Sequence, residues 1–122
     1  MKLRFDQQSV RFRLKKSDVA VLADKGAVEE TIHFPQQILT YRLEINKVVQ
    51  SISAFFANNH LIVRIPPEQA LQWINTNEVG IYASVSWPEA EKILEILIEK
   101  DFPCKHGSET DNADTFDELS SQ

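Results

Sequence analysis

Apolar and polar residues alternate with period two at the start of this chain. Leu3-Arg4-Phe5 and Val10-Arg11-Phe12-Arg13-Leu14 each place apolar side chains on one face and basic ones on the other, the pattern of a half-buried strand. Asp6-Gln7-Gln8-Ser9 lies between them and suits a turn. A hairpin is therefore predicted, with Val10, Phe12 and Leu14 toward the core and Arg11 and Arg13 facing out. Ser17 then suits an N-cap, Asp18 the first turn and Gly26 the C′ position, while Val19, Leu22 and Ala23 share a face. These signals predict a short helix over 17–25.

Val28 to Phe34 reads as a strand stopped by Pro35, and Thr40 to Ile45 alternates with Tyr41, Leu43 and Ile45 on one side. Ser51 to Phe56 and Leu61 to Ile65 flank Asn58-Asn59, and asparagine tolerates the positive φ of a two-residue hairpin loop. Three consecutive strands at this spacing predict an antiparallel meander. Pro66-Pro67 ends the last of them, and Pro67 suits the first position of a helix running to about Asn75. Val79 to Val85 is the next strand, and Pro88-Glu89-Ala90-Glu91 a turn or helix start. Lys92 to Phe102 satisfies two patterns. Ala90, Ile93, Leu94, Leu97 and Ile98 have amphipathic-helix spacing, whereas Ile-Leu-x-Ile-Leu-Ile also suits a strand buried on both faces; period alone favours the helix. Phe55, Phe56, Trp73 and Trp87 are expected mostly in the core, with one of the two adjacent phenylalanines near the surface. No internal repeat is visible.

Composition narrows the class. The chain has 122 residues, 43% of them hydrophobic, enough for one domain with a sizeable core. No apolar run approaches the ~20 residues of a membrane helix, and Met1 to Asp6 lacks a signal-like apolar stretch. One cysteine excludes an internal disulfide and points to a reducing cytoplasm. The net charge of −5 is unevenly placed. Residues 1–16 carry six basic side chains against Asp6 alone, and residues 104–122 carry five acids against Lys105. Acidity overall argues against non-specific nucleic-acid binding. After Cys104 the chain is mostly Gly, Ser, Asn, Asp and Glu, with Phe116 as its one large aromatic. That composition predicts a disordered acidic tail.

The densest titratable cluster is Glu99, Lys100, Asp101, Cys104 and His106. A metal needs three or four converging ligands, and Cys104 and His106 stand one residue apart with no second pair. As a nucleophile, Cys104 would need a base and an orienting group, and His106 is too near in sequence for that geometry. Glu99 and Asp101 would share a face of a strand, as paired acid/base carboxylates can. The simpler account is cross-strand ion pairing of Glu95, Glu99 or Asp101 with Arg11 and Arg13. Lys2, Arg4, Arg11, Arg13 and Lys15 could line a basic face, but Phe5 and Phe12 lie opposite the arginines and offer no stacking platform for bases.

Several segments in order carry a family resemblance: Gln8-Ser9-Val10-Arg11-Phe12-Arg13-Leu14, Val28-Glu29-Glu30, Leu39-Thr40-Tyr41, Val63-Arg64-Ile65-Pro66, Trp73, and Ile98-Glu99-Lys100-Asp101-Phe102-Pro103-Cys104. The set resembles a family of small, uncharacterised bacterial proteins, a domain of unknown function, over about Met1 to Cys104. Asn58-Asn59 and Phe116-Asp117-Glu118 depart from that family's Asn-Gly hairpin and Phe-Pro-Asn-Pro-like end. The resemblance implies no activity, cofactor or catalytic residue. It does imply an α+β fold in which Lys92–Phe102 is a strand.

The expectation is thus one α+β domain over 1–104, mainly an antiparallel sheet of about six or seven strands with two short helices, and a tail over 105–122. The favoured function is a non-catalytic cytoplasmic binding module without cofactor or metal, a homodimer or bound to a protein partner, using Arg11, Arg13, Glu99 and Asp101. The alternative is a small enzyme with an acid/base site around Glu99, Asp101 and Arg11. A further expectation has the acidic tail folding back over the basic strands.

Overall fold

In a computed structural model the described residues are 1–89, 91–101 and 114–116. Eight strands and two helices follow one another: β1 (Lys2–Asp6), β2 (Ser9–Leu14), α1 (Lys16–Lys25), β3 (Ala27–His33), β4 (Ile38–Ile45), β5 (Ser53–Ala57), β6 (His60–Ile65), α2 (Pro67–Asn75), β7 (Gly80–Ser86) and β8 (Ile93–Lys100). The fold is α+β and mainly sheet. The strands form two four-stranded sheets, one ordered β1-β2-β8-β7 (sheet A) and one ordered β3-β4-β6-β5 (sheet B). The outer pairs are antiparallel, but β2–β8 and β4–β6 are parallel.

The meander expected over 40–65 is therefore not formed. Strand β6 sits between β4 and β5. Its Leu61, Val63 and Ile65 are all buried, which a central position requires. Strand β5 is left at the edge, with Phe55 and Phe56 both exposed; Trp87 is also largely outside the core, and of the four aromatics expected there only Trp73 is fully buried.

The segment with two readings, 92–102, contains strand β8. Its helical spacing loses to position. β8 is hydrogen-bonded on both sides, to β2 and β7, and buries Ile96 and Ile98. Tertiary pairing overrides a local period when both edges of the strand find hydrogen-bonding partners and one face joins the core. The charged Glu99-Lys100-Asp101 does not end the core either. Lys100 and Asp101 are buried, the Lys100 ammonium donates to the Thr76 carbonyl at 2.6 Å, and it lies 5.6 Å from the centroids of both Trp73 and Phe116.

Helix α1 starts one residue before the predicted Ser17 cap, with Lys15 as N-cap and Gly26 closing it at φ 78°. The Asp18 carboxylate accepts from the Lys15 backbone N–H at 2.9 Å. Helix α2 has the predicted bounds. Asn58 and Asn59 both take positive φ in the β5–β6 turn, as the two-residue hairpin requires. Of the segment read as a tail, Asp114–Phe116 are described, and they lie on the domain. Asp114 accepts the Lys16 and Ser17 backbone N–H groups through its carbonyl and carboxylate, each at 2.9 Å, and bonds the Ser17 hydroxyl. Phe116 is buried and donates its N–H to the Asp101 carbonyl at 2.9 Å. Cys104 and His106 fall outside the described residues.

A repeat does exist, in topology. β1-β2-α1-β3-β4 and β5-β6-α2-β7-β8 have the same order of elements, and each sheet combines the first hairpin of one half with the second hairpin of the other. The buried pairs Met1 and Ile52, Val10 and Leu61, Phe12 and Val63, Leu14 and Ile65, Val19 and Ala70, and Leu22 and Trp73 are each 51 positions apart. Between residues 1–22 and 52–73 identity is retained only at Phe5 and Phe56 and at Arg13 and Arg64. Burial alternation, which tolerates any apolar residue, preserves the repeat where side-chain identity does not. Both sheets and both helices contribute to a single core.

Candidate functional site

The register of β1, β2 and β8 lays out the outer face of sheet A. Lys2 pairs with Arg13 and Arg4 with Arg11 across β1–β2, while Arg13 pairs with Glu99 and Arg11 with Leu97 across β2–β8. Alternation puts Val10, Phe12 and Leu14 inward and the basic side chains outward, as the sequence pattern predicts. The result is two successive like-charged pairs, directly opposite each other. Such pairs destabilise a sheet.

The neutralising charge is small. Glu99 Oε1 lies 3.2 Å from Arg11 Nε and 3.8 Å from Arg13 Nε. Its Oε2 accepts the Tyr82 hydroxyl at 2.9 Å. One carboxylate thus serves two guanidinium groups and a phenol. Arg11 Nε is buried and makes no hydrogen bond of good geometry; its contact with Glu99 is an ion pair off the hydrogen-bonding line. The side chains of Arg11 and Arg13 remain 32% and 43% exposed. Arg4 is exposed and has no ionic partner among the described residues. Burial, then the bond to Glu99, raises the Tyr82 pKa above its ordinary 10.0, against a smaller opposing effect of Arg11.

Asp101 joins the group differently. Its carboxylate is nearly enclosed and lies 3.2 Å from Lys2 Nζ. Neither Glu99 nor Asp101 lines the two hollows on this face. A hollow of about 330 Å³ is lined by Lys2, Leu3, Arg4, Arg11 and Arg13, and a neighbouring one of about 80 Å³ by Arg4, Asp6, Ser9 and Arg11. The carboxylates are spent on ion pairs at the margin, while the arginine groups line the open space. Glu95, also weighed as a partner for the arginines, instead accepts the Ser84 hydroxyl at 2.8 Å. Among the described residues no group of three or more His, Cys, Asp or Glu could hold a metal.

Sheet B carries the counterpart of one part of this arrangement. Glu44 pairs with Arg64 across β4–β6, with Arg64 Nε 3.0 Å from Glu44 Oε2 and Arg42 Nε 2.8 Å from Oε1. The Arg42 bond above all holds the Glu44 carboxyl below its ordinary range, against the effect of burial. There, however, the positions matching Lys2, Arg4 and Arg11 are Ser53, Phe55 and Ile62. The surplus of cations belongs to sheet A alone. Sequence reasoning put Arg4 on a possible basic face with Lys2, Arg11, Arg13 and Lys15 but kept only Arg11, Arg13, Glu99 and Asp101 as the binding set, and it missed Tyr82; the pairing of β1 onto β2 and the alternation of β7 bring Arg4 and Tyr82 to this face.

A family model described as a family of unknown function (DUF7009) matches residues 1–120. No curated protein and no solved structure matches the chain.

Proposed function

The chain belongs to this family of unknown function, and on that premise we propose that it is a non-catalytic interaction module that binds an acidic segment of a partner protein on the outer face of sheet A. The observation that carries the reading is the pair of opposed like-charge rungs, Lys2–Arg13 and Arg4–Arg11, around an open hollow. Their mutual repulsion is relieved by a ligand carboxylate more fully than by Glu99 alone. Arginine forks suit carboxylates, which they bind in bidentate fashion. A protein partner is favoured over nucleic acid by the chain's net charge of −5; Phe12 is buried, Phe5 is exposed but lies on the face opposite the arginines, and the one ring that the strands of sheet A place beside them, Tyr82, is tied to Glu99, short of the run of stacking rings that bases use. Glu99 acts as an internal competitor for the site, and Asp101 anchors Lys2 at its rim. No described helix is long and apolar enough to cross a membrane, and a cytoplasmic setting is part of this reading.

The test is binding of a fluorescent poly-glutamate peptide, in low salt, to the wild-type chain and to an Arg4→Glu/Arg11→Glu variant. Both positions face outward, so the fold is retained and circular dichroism checks it. The proposal expects saturable binding by the wild type and its loss in the variant. Equal binding by both, or binding of a single-stranded oligonucleotide in preference to the peptide, refutes it.

A further inference from the structure

We propose that the open edge of β7 is a dimerisation edge, pairing antiparallel with the β7 of a second copy about a two-fold axis at Ala83. The main chain sets the register. Val79 accepts the Lys100 N–H at 2.9 Å, and the β7–β8 pairing continues without interruption from Gly80–Glu99 to Ser86–Ile93. In an antiparallel ladder hydrogen-bonded and non-bonded pairs alternate. Ile81, Ala83 and Val85 therefore bond to β8, and the N–H and C=O groups of Gly80, Tyr82, Ser84 and Ser86 point away from it. These four residues are symmetric about Ala83. Antiparallel apposition matches Gly80 with Ser86 of the second copy and Tyr82 with Ser84, so that every outward group on both strands is satisfied.

Charge identifies the occupant as a second copy. A strand laid against itself meets its own charges. The sequence of β7, Gly-Ile-Tyr-Ala-Ser-Val-Ser, has none and no proline. The edges β1 and β3 carry Lys2, Arg4 and Asp6, and Glu29, Glu30 and His33, the charged residues that guard an edge against pairing. Strand β5 is uncharged too, but it has five residues against seven, and the Arg64 guanidinium lies 5.8 Å from the Phe55 ring centroid on its outer face.

The repeat shows the same contrast between the two halves. Beside β3, the Met1 ammonium lies 2.9 Å from Asp18 and 3.0 Å from Glu30, and the Tyr41 hydroxyl donates to Glu30 at 2.8 Å. By separation in the helices and by register in the hairpins the matching positions beside β7 are Ile52, Gln69, Ala83 and Ile96, all uncharged, and among the described residues no ion pair closes that side. A hollow of about 290 Å³ remains there, bordered by Ile52, Gln69 and the run from Ala83 to Ser86. Exposed Tyr82, Trp87 and Ile93 flank the edge. Pairing two β7 strands would make one eight-stranded sheet with both basic faces on the same side. The two β2 strands would stand five strand spacings apart, roughly 24 Å.

Across the new ladder Ala83 faces its own copy as a non-hydrogen-bonded pair, with Cα atoms about 4.5 Å apart. That separation suits a disulfide. The test uses the full chain with Cys104→Ser as background. Under mild oxidation, Ala83→Cys is expected to form a disulfide-linked dimer and Phe55→Cys none. Wild-type chain should sediment at twice its 14.0 kDa mass at high concentration. Ser84→Pro should sediment at the single-chain mass with an unchanged circular dichroism spectrum, because the Ser84 N–H points away from β8 and a proline there removes no ladder bond. If Ser84→Pro does not fold, the cysteine pair decides alone. A single-chain mass for the wild type at every concentration, or crosslinking through Phe55→Cys instead of Ala83→Cys, overturns the proposal.

Discussion

Replacing Glu99 by Gln should move stability and ligand affinity in opposite directions. The carboxylate lies 3.2 Å from Arg11 Nε and 3.8 Å from Arg13 Nε. At 3.2 Å and an effective dielectric of ~20 the bare attraction is about 5 kcal/mol. Desolvation and side-chain ordering offset most of it, leaving ~0.2–1 kcal/mol per partly exposed pair. Two pairs give about 0.4–2 kcal/mol in total. The Gln side chain is nearly isosteric and its carbonyl still accepts from Tyr82, so the loss isolates charge. For a chain of this size that amounts to a fall in Tm of roughly 2–8 °C. The arginines, freed from their internal competitor, should bind poly-glutamate more tightly. A gain of about 1 kcal/mol is roughly a fivefold lower Kd. Thermal melts and peptide titration at one ionic strength measure both effects. A third reading comes from the phenols, since Tyr41 and Tyr82 are the only two tyrosines. Loss of the Glu99 charge should lower the Tyr82 titration, while Tyr41, pushed up to about 12 by burial and then by Glu30, should not move. A destabilised Glu99→Gln whose affinity is unchanged or weaker would refute the view that Glu99 competes with the ligand.

Three other outcomes follow from the geometry. Glu44 has a folded pKa held below its ordinary value, mainly by Arg42, so its stabilisation is complete above the unfolded value and is lost as pH falls through the folded one. Urea midpoints of wild type and Glu44→Gln should therefore converge on acidification below about pH 4.5, and a constant gap down to pH 2 would contradict this. Trp73→Ala should cost about 3–5 kcal/mol, against less than ~0.5 kcal/mol for exposed Leu71→Ala, as read by chemical denaturation. Asp114→Ala removes a carboxylate from the first turn of α1 and should cost about 1 kcal/mol; hydrogen exchange at Ser17 should rise with it, and unchanged exchange would argue against the capping contact.

Much of the local structure was readable from residue order. Period-two alternation placed β2 and β4, Pro67 opened α2, and Asn58-Asn59 made its turn. The arrangement of the pieces was not readable. Nothing local says that β6 inserts beside β4 in parallel, because that choice rests on which strand buries more, Leu61, Val63 and Ile65 or the mixed face of β5. Strand β8 has a helix period, and its strand state is decided by neighbours on both sides; the family resemblance implied it where the local pattern did not. Lys100 is a charged residue in a titratable cluster at the end of its strand, yet it is buried, held by the Thr76 carbonyl and the faces of Trp73 and Phe116. The duplication was hidden because equivalent positions keep burial and not identity. At the basic face, alternation revealed the outward arginines and suggested Glu99 as their partner. The crowding of Arg4 against Arg11 required the β1–β2 register, which depends on a two-residue turn at Gln7-Gln8.

The most direct test of the acidic-partner reading is an amide chemical-shift titration of the full chain with poly-glutamate. The account predicts saturable shifts concentrated at Lys2, Arg4, Arg11, Arg13 and Glu99, with the matching face of sheet B at Glu44 and Arg64 undisturbed. Shifts spread over both sheets, or confined to sheet B, would contradict it.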